Sequence, residues 1–391
     1  MTLKIGLRMG RRLTGAATAV LLSAGLLGAG ALGAGVASAS TAGAVTGQVS
    51  TAAAATVPWG SVGTGWVLAE YSTATSTKAE PETLYLVSPN GTKYPIYTWK
   101  SSATAPEIIA WAGNKTEALL GNVYLPHPTS YDELNLRTGK LTVVTPAGKA
   151  LALGYTLPTG QQILGETDNE SGSSDANITL ARYTQAGTLV KKLVTEKGFY
   201  LYARYSPNGM DLAVSAANGL LLVSNAGGVL KKLPVPGVQP VLGCRPSRWW
   251  NANTILASCY PKNSGIQQLW LVPVSGAKPS ALTPVRKAGE DDGDIDAWQL
   301  SSGLYLQSLG ACGTLEINKQ AKNGSITMVT VPGADNSPVV VTASSSRMLV
   351  RTGGCEGGGQ LVWFNPGTRA EQWLFKTGVQ EVVAYTNEEN A

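Results

Sequence analysis

From residue 57 onward the chain is built of short apolar runs cut by turn residues at regular intervals. Residues 205–228, YSPNGMDLAVSAANGLLLVSNAGG, show the unit. The runs DLAV and GLLLV are bracketed by SPNG and SNAGG, a pattern that predicts two antiparallel strands between tight turns. No stretch beyond residue 57 combines the length and the 3.6-residue period of a helix. A parallel sheet needs crossovers of that kind between its strands, so an α/β fold is excluded.

The turn recurs along the chain. Glycine-bearing turns are centred on Gly91, Gly139, Gly187, Gly227, Gly276, Gly324 and Gly367, spaced by 48, 48, 40, 49, 48 and 43 residues. Their mean period of 46 residues is the length of a four-stranded propeller blade. A second turn series lies near Gly65, Gly113, Gly160, Gly209, Ala252, Gly303 and Ser345. Between the two series fall predicted second strands (WVLAEY, EALLGN, QILGET, DLAVSA, TILASC, LYLQSL, RMLVRT) and third strands (LYLV, ELNL, TLARY, LLLV, LWLV, TLEI, LVWF). Several third strands are apolar throughout, as strands covered on both faces are. The fourth strands differ. KYPIY, TLVKKLV and VLKKLPV carry Pro95, Lys191, Lys192, Lys231 and Lys232, residues suited to an exposed outer edge because they resist further pairing.

The predicted fold is all-β, a seven-bladed β-propeller of four-stranded antiparallel blades over residues 57–391. A β-sandwich would not produce seven evenly spaced units. Residues 379–385, VQEVVAY, stand where an eighth unit would begin. They are predicted to supply the innermost strand of the first blade and so close the ring, with residues 59–62 as the competing candidate.

The unit at residues 205–228 resembles the SPDG-x-x-LAF…IYVVDLDGG pattern of TolB-like and WD40-like (PD40-type) propeller repeats. PVSGAKPSALTP, after LWLV, is similar to the GG-x-P-x-x-LT ending of such repeats. The likeness is specific over the fourth and fifth units, extends to secreted actinobacterial TolB-like proteins, and allows six blades as the alternative count. The chain lacks the Trp-Asp dipeptide of WD40 repeats and the Ser-x-Asp-x-Gly-x-Thr-Trp box of sialidases. The resemblance implies an envelope protein that binds other proteins.

The N-terminus changes the charge argument. Lys4, Arg8, Arg11 and Arg12 precede an uncharged stretch over residues 13–36, and Ala37-Ser38-Ala39 follows. Residues 1–39 thus read as a signal peptide cleaved after Ala39, with an uncleaved membrane anchor as the alternative. Residues 40–56 are small and uncharged and read as a linker. The whole chain holds 30 basic and 25 acidic residues. Removing four basic and no acidic residues with the signal leaves 26 against 25, or +1. No clustered basic face suited to nucleic acid or an anionic membrane is visible in that balance. A monomer, secreted or attached to the cell wall, is expected.

Candidate chemistry is sparse. Four cysteines in an exported chain are expected to pair. Cys244 and Cys259 flank the WWNAN turn symmetrically, and Cys312 and Cys355 occupy equivalent places in consecutive units. The register therefore pairs Cys244 with Cys259 and Cys312 with Cys355. The one histidine, His127, lies in NVYLPHPTS without an orienting partner. No nucleophile elbow, phosphate loop or zinc motif is present, so no catalytic residue is assigned. Asp292, Asp294 and Asp296 alternate around Gly293 in EDDGDID and are weak calcium candidates; no other cofactor is expected. Paired carboxylates could serve a glycosidase, but nothing in the sequence fixes their separation. Loops between second and third strands share one face with the loops between blades, and that face collects the long loops, including EDDGDID and ETDNESGSSD. Binding is expected there. Trp249 and Trp250 fall at the opposite end, where packing is their expected role and a recognition patch the alternative. The favoured function is a secreted binding propeller of the cell envelope. A secreted hydrolase or lyase acting on polysaccharide or peptide is the runner-up.

Overall fold

The computed structural model describes residues 48–49, 57–74, 78–103, 105–111, 114–121, 130–148, 150–167, 175–198, 201–240, 243–262, 264–286, 293–309, 314–333, 337–353 and 359–385. The strand pairings among them form four-stranded antiparallel meanders, the blades of a β-propeller, numbered here in chain order. Each blade begins with an inner strand. The second blade runs Glu107–Trp111, Glu117–Gly121, Tyr131–Asn135 and Leu141–Val144, and the third Ala150–Tyr155, Gln162–Thr167, Asn177–Thr184 and Leu189–Lys197. The fourth is Ala203–Tyr205, Asp211–Ala216, Gly219–Ser224 and Val229–Pro234; the fifth is Cys244–Asn251, Thr254–Cys259, Gln268–Pro273 and Ser280–Ala281. The sixth is Gly293–Leu300, Gly303–Leu309, Leu315–Gln320 and Ile326–Met328.

One long strand joins the ends of the chain. Glu371–Ala384 begins as the outer strand of the seventh blade, after Val339–Ala343, Met348–Thr352 and Gly359–Phe364. It ends as the inner strand of the first, where Val67 pairs with Ala384 and Tyr71 with Val379. Val67–Ser72, Glu82–Val87 and Lys93–Trp99 complete that blade. Gly378 makes the passage possible. Its φ is +78°, and a Cβ there would lie 2.5 Å from the Tyr71 ring, so an L side chain would be both strained and overlapped. The competing segment forms a short 3-10 turn, Trp59–Ser61.

The outer edge of the first blade departs from expectation. Gln48 and Val49, from the segment read as a linker, pair with Thr98 and Tyr97. KYPIY is therefore covered there rather than free. An edge strand presents unpaired backbone groups to any extended segment, and the pairing falls beyond Pro95, the residue that cannot donate.

The core lies between blades. Alternate residues of each strand point to opposite faces, so each blade divides its apolar residues between two seams. Leu212 and Val214 pack against the third blade, and Ala213, between them, against the fifth. Seven such clusters occur among the described residues, the last joining Leu349, Leu361 and Trp363 to Val67, Ala69 and Val379. Gly187 shows how close the blades approach: with φ +82°, its added Cβ would meet Thr145 O of the second blade at 2.2 Å.

Candidate functional site

The two ends of the propeller differ in chemistry. Toward the long-loop end six of the seven second strands carry a polar residue within their last three positions: Glu70, Glu166, Ser215, Ser258, Ser308 and Thr352. All six polar residues are buried. Several brace the chain as it enters an inner strand, Ser215 that of its own blade, Glu166 and Ser258 that of the next. The Leu201 N–H donates to Glu166 Oε2 at 2.7 Å, and the Tyr202 N–H to Ser215 Oγ at 2.9 Å. Ser258 Oγ donates to Asp294 O at 3.2 Å. Gln307 spans the sixth and seventh blades, donating to Pro338 O and accepting the Val340 N–H, each at 2.9 Å. Burial raises the Glu166 carboxyl to about 8 against the pull of the Leu201 bond. It is therefore protonated at neutral pH.

Two of the three calcium candidates are engaged by arginines. Asp294, fully buried, takes Arg286 Nη2 at 3.0 Å and Nε at 3.1 Å, with the Ser308 hydroxyl at 2.8 Å. Asp296 takes Arg248 Nε at 3.0 Å and Nη2 at 3.3 Å. The ladder slips between the two aspartates, leaving Asp294 opposite Ser308 and Asp296 opposite Gln307. Neighbouring residues on one strand face opposite sides of the sheet, so the slip separates the carboxylates instead of aligning them. Asp292 lies outside the described residues. Among those described, no group of three or more His, Cys, Asp or Glu could hold a metal.

Cys244 and Cys259 form the expected disulfide, with Cα atoms 4.1 Å apart in paired positions of the fifth blade. Cys312, Cys355 and His127 lie outside the described residues. Glu70 and Glu82 are buried on one face of the first blade. The Glu117 and Glu133 carboxylates are bridged by one amide: Gln185 Nε2 donates to Glu117 Oε2 at 2.7 Å and to Glu133 Oε1 at 2.9 Å. Tyr155 also donates to Glu133 at 2.9 Å. Burial first, and then the neighbouring Glu117 charge, raise the Glu133 carboxyl despite these bonds. This pair sits at the seam of the second and third blades.

At the tight-turn end the WWNAN turn lies as expected, and a cleft of about 290 Å³ opens between inner strands, lined by Arg248, Trp250, Trp298, Gln299 and Ser344. The Arg248 guanidinium lies 4.5 Å from the Trp298 ring centroid, within cation–π range. Trp249 packs in the seam of the fourth and fifth blades and donates its indole N–H to Arg204 O at 3.2 Å. The sequence reading did not find Arg248. The signal was there: Arg248 and Asp296 are 48 residues apart, one repeat.

No protein-family model matches the chain, and no curated protein matches it by sequence. Solved structures do. A Bacteroides uniformis protein assigned as a 6-phosphogluconolactonase matches with a TM-score of 0.50 and 14% identity, over 81% of this chain and 99% of that one. TolB of Acinetobacter baumannii matches with a TM-score of 0.44 and 14% identity over 82% of this chain, which spans 66% of TolB. A Mycobacterium tuberculosis puromycin-hydrolyzing peptidase matches with a TM-score of 0.48 and 14% identity over 79% of this chain, which spans 50% of the peptidase. At such identities the likeness is one of fold.

Proposed function

We propose that the chain is a secreted, non-catalytic binding propeller of the cell envelope, closed by seven blades, that engages a protein or small ligand through its long-loop face. The carrying observation is the state of the buried carboxylates. Asp294, at that end, is neutralised by Arg286, and Asp296, further along the same strand toward the tight-turn end, by Arg248. Glu166 is held protonated by burial. A hydrolase needs a paired acid and base open to substrate, whereas these groups serve to hold loops on a rigid frame. The Cys244–Cys259 disulfide suits an oxidising compartment.

The test compares faces. The protein is immobilised and exposed to cell-wall and membrane extracts with and without Ca²⁺, as wild type, as a long-loop-face variant (Asp175→Lys with Lys262→Glu), and as a tight-turn variant (Arg137→Glu). A partner retained by wild type and Arg137→Glu and lost from the long-loop variant is the expected result. Turnover of a glycan or peptide panel with no such face-dependent partner would reverse the reading.

A further inference from the structure

Six of the eight large hydrophobic residues that stand most exposed among the described residues fall on one arc of the rim, in the second to fourth blades. Val143 (67%), Leu189 (41%) and Val190 (42%) lie on outer strands, as do Val229 (45%) and Leu230 (55%), and Met210 (61%) lies in the adjoining turn. The arc is continuous. Ala147 donates to Gly187 O at 2.8 Å, linking the second blade to the turn before Leu189. Gly228 donates to Leu193 O at 3.0 Å, linking the third blade to the turn before Val229. All of these residues gather near the tight-turn end.

Four lysines are interleaved with them. Lys191 and Lys192 follow Leu189 and Val190, and Lys231 and Lys232 follow Val229 and Leu230. All four are exposed. Lys191 lays its stem along the next blade, its Cε 2.8 Å from where a Cβ on Gly227 would stand, and Lys231 Nζ donates to Ser275 O at 2.8 Å. None of the four forms an ion pair with a described residue. The fold thus collects on one arc basic residues that look unremarkable in a mature chain of net charge +1.

We propose that this arc docks the protein on an anionic bilayer surface, the aliphatic tips entering the headgroup layer and the lysine ammonium groups pairing with lipid phosphates. Lysines that carry their charge on long apolar stems beside aliphatic side chains suit that boundary. Protein hot spots, by contrast, are enriched in Trp, Tyr and Arg, and the strands LVKKLVTEK and VLKKLP contain none. Docked so, the long-loop face points away from the lipid.

The test is co-sedimentation of the full chain with equimolar phosphatidylglycerol–phosphatidylcholine vesicles and with phosphatidylcholine vesicles alone, at low and high sodium chloride. Lys4, Arg8, Arg11 and Arg12 of the N-terminal stretch also favour anionic lipid, so the contribution of the arc is read from the difference between wild type and the lysine variants in the same full chain. Wild type should prefer the anionic vesicles and lose that preference in salt. Lys191→Gln with Lys192→Gln should weaken the preference about tenfold or more, Lys→Arg at both should retain it, and Leu230→Ser should weaken binding with the salt dependence kept. Unchanged thermal unfolding of each variant separates docking from folding. Equal binding to both lipids, indifference to the lysine changes, or binding of poly-glutamate without binding of anionic vesicles would overturn the proposal.

Discussion

The seam between the first and second blades and the seam between the fifth and sixth are closed by different means. The first buries sixteen residues in one apolar cluster, among them Trp66, Trp99 and Trp111. Tyr385, from the closing end of the chain, meets the Trp111 ring edge-on at 5.1 Å between centroids. The second buries four, Leu256, Leu269, Ala297 and Leu306. Its blades are tied instead by polar links: Ser247 to Ile295 O at 2.7 Å, Ser258 to Asp294 O, and Arg248 to Asp296. A ring is held only if every seam holds. Burial is non-directional and tolerates small shifts, while ion pairs and hydrogen bonds fix position and fail when one partner is lost. The two seams should therefore break differently.

The largest effect is expected in the aromatic seam. Trp111→Ala removes a fully buried side chain and should cost about 4 kcal/mol in denaturant unfolding, by lost burial plus the cavity left behind. A cost under about 1 kcal/mol would mean that this seam does not carry the closure. In the polar seam, Asp294→Asn leaves Arg286 charged and buried without its counter-ion and should cost about 3 kcal/mol. Met in place of Arg286 in the same chain should recover most of that loss, a recovery that no second change can produce at Trp111.

The strands and the closure of the ring were legible in the sequence and the polar seam was not. Strands such as DLAVSA and GLLLVS declare themselves by apolar pattern and flanking turns, and VQEVVAY by its place one period after the last unit. Asp292, Asp294 and Asp296 suggested a ligand set because they alternate around Gly293 in a stretch that reads as a loop. The ladder slip beside Ile295 belongs to the paired strand and leaves no mark in the spacing. Glu166 opens an acidic stretch and reads as solvated, yet it ends a second strand, where Ser215 and Ser258 are also buried. Superposing the repeats would have exposed that position, as it would have paired Arg248 with Asp296. The docking of Gln48 and Val49 on an outer edge carries no compositional signal.

Glu166 offers a milder probe of the polar end. Its carboxyl titrates at about 8 when folded, against an ordinary 4.5. Between those values the native chain holds a proton that the unfolded chain has released, so stability falls as pH rises through the window. Each unit is worth about 1.4 kcal/mol. From about pH 5 to about pH 6.5, wild type should lose about 2 kcal/mol relative to Glu166→Gln, whose amide oxygen still accepts the Leu201 N–H without titrating. Parallel stability curves for the two proteins would show that Glu166 is solvated in its folded state.

The smallest effect distinguishes a tie from a mere contact. Arg248 and Asp296 retain 13% and 22% side-chain exposure, so water screens part of their attraction. A double-mutant cycle through Arg248→Met and Asp296→Leu should return a coupling of about 1 kcal/mol, because each single change strands a half-buried charge that the double change removes. Raising salt should shrink the coupling only slightly, since partly buried pairs are weakly screened. If the coupling vanishes while Arg248→Met alone is costly, Arg248 acts through its stacking on Trp298. The polar seam would then depend on Asp294 and its partners at the far end of the same strand.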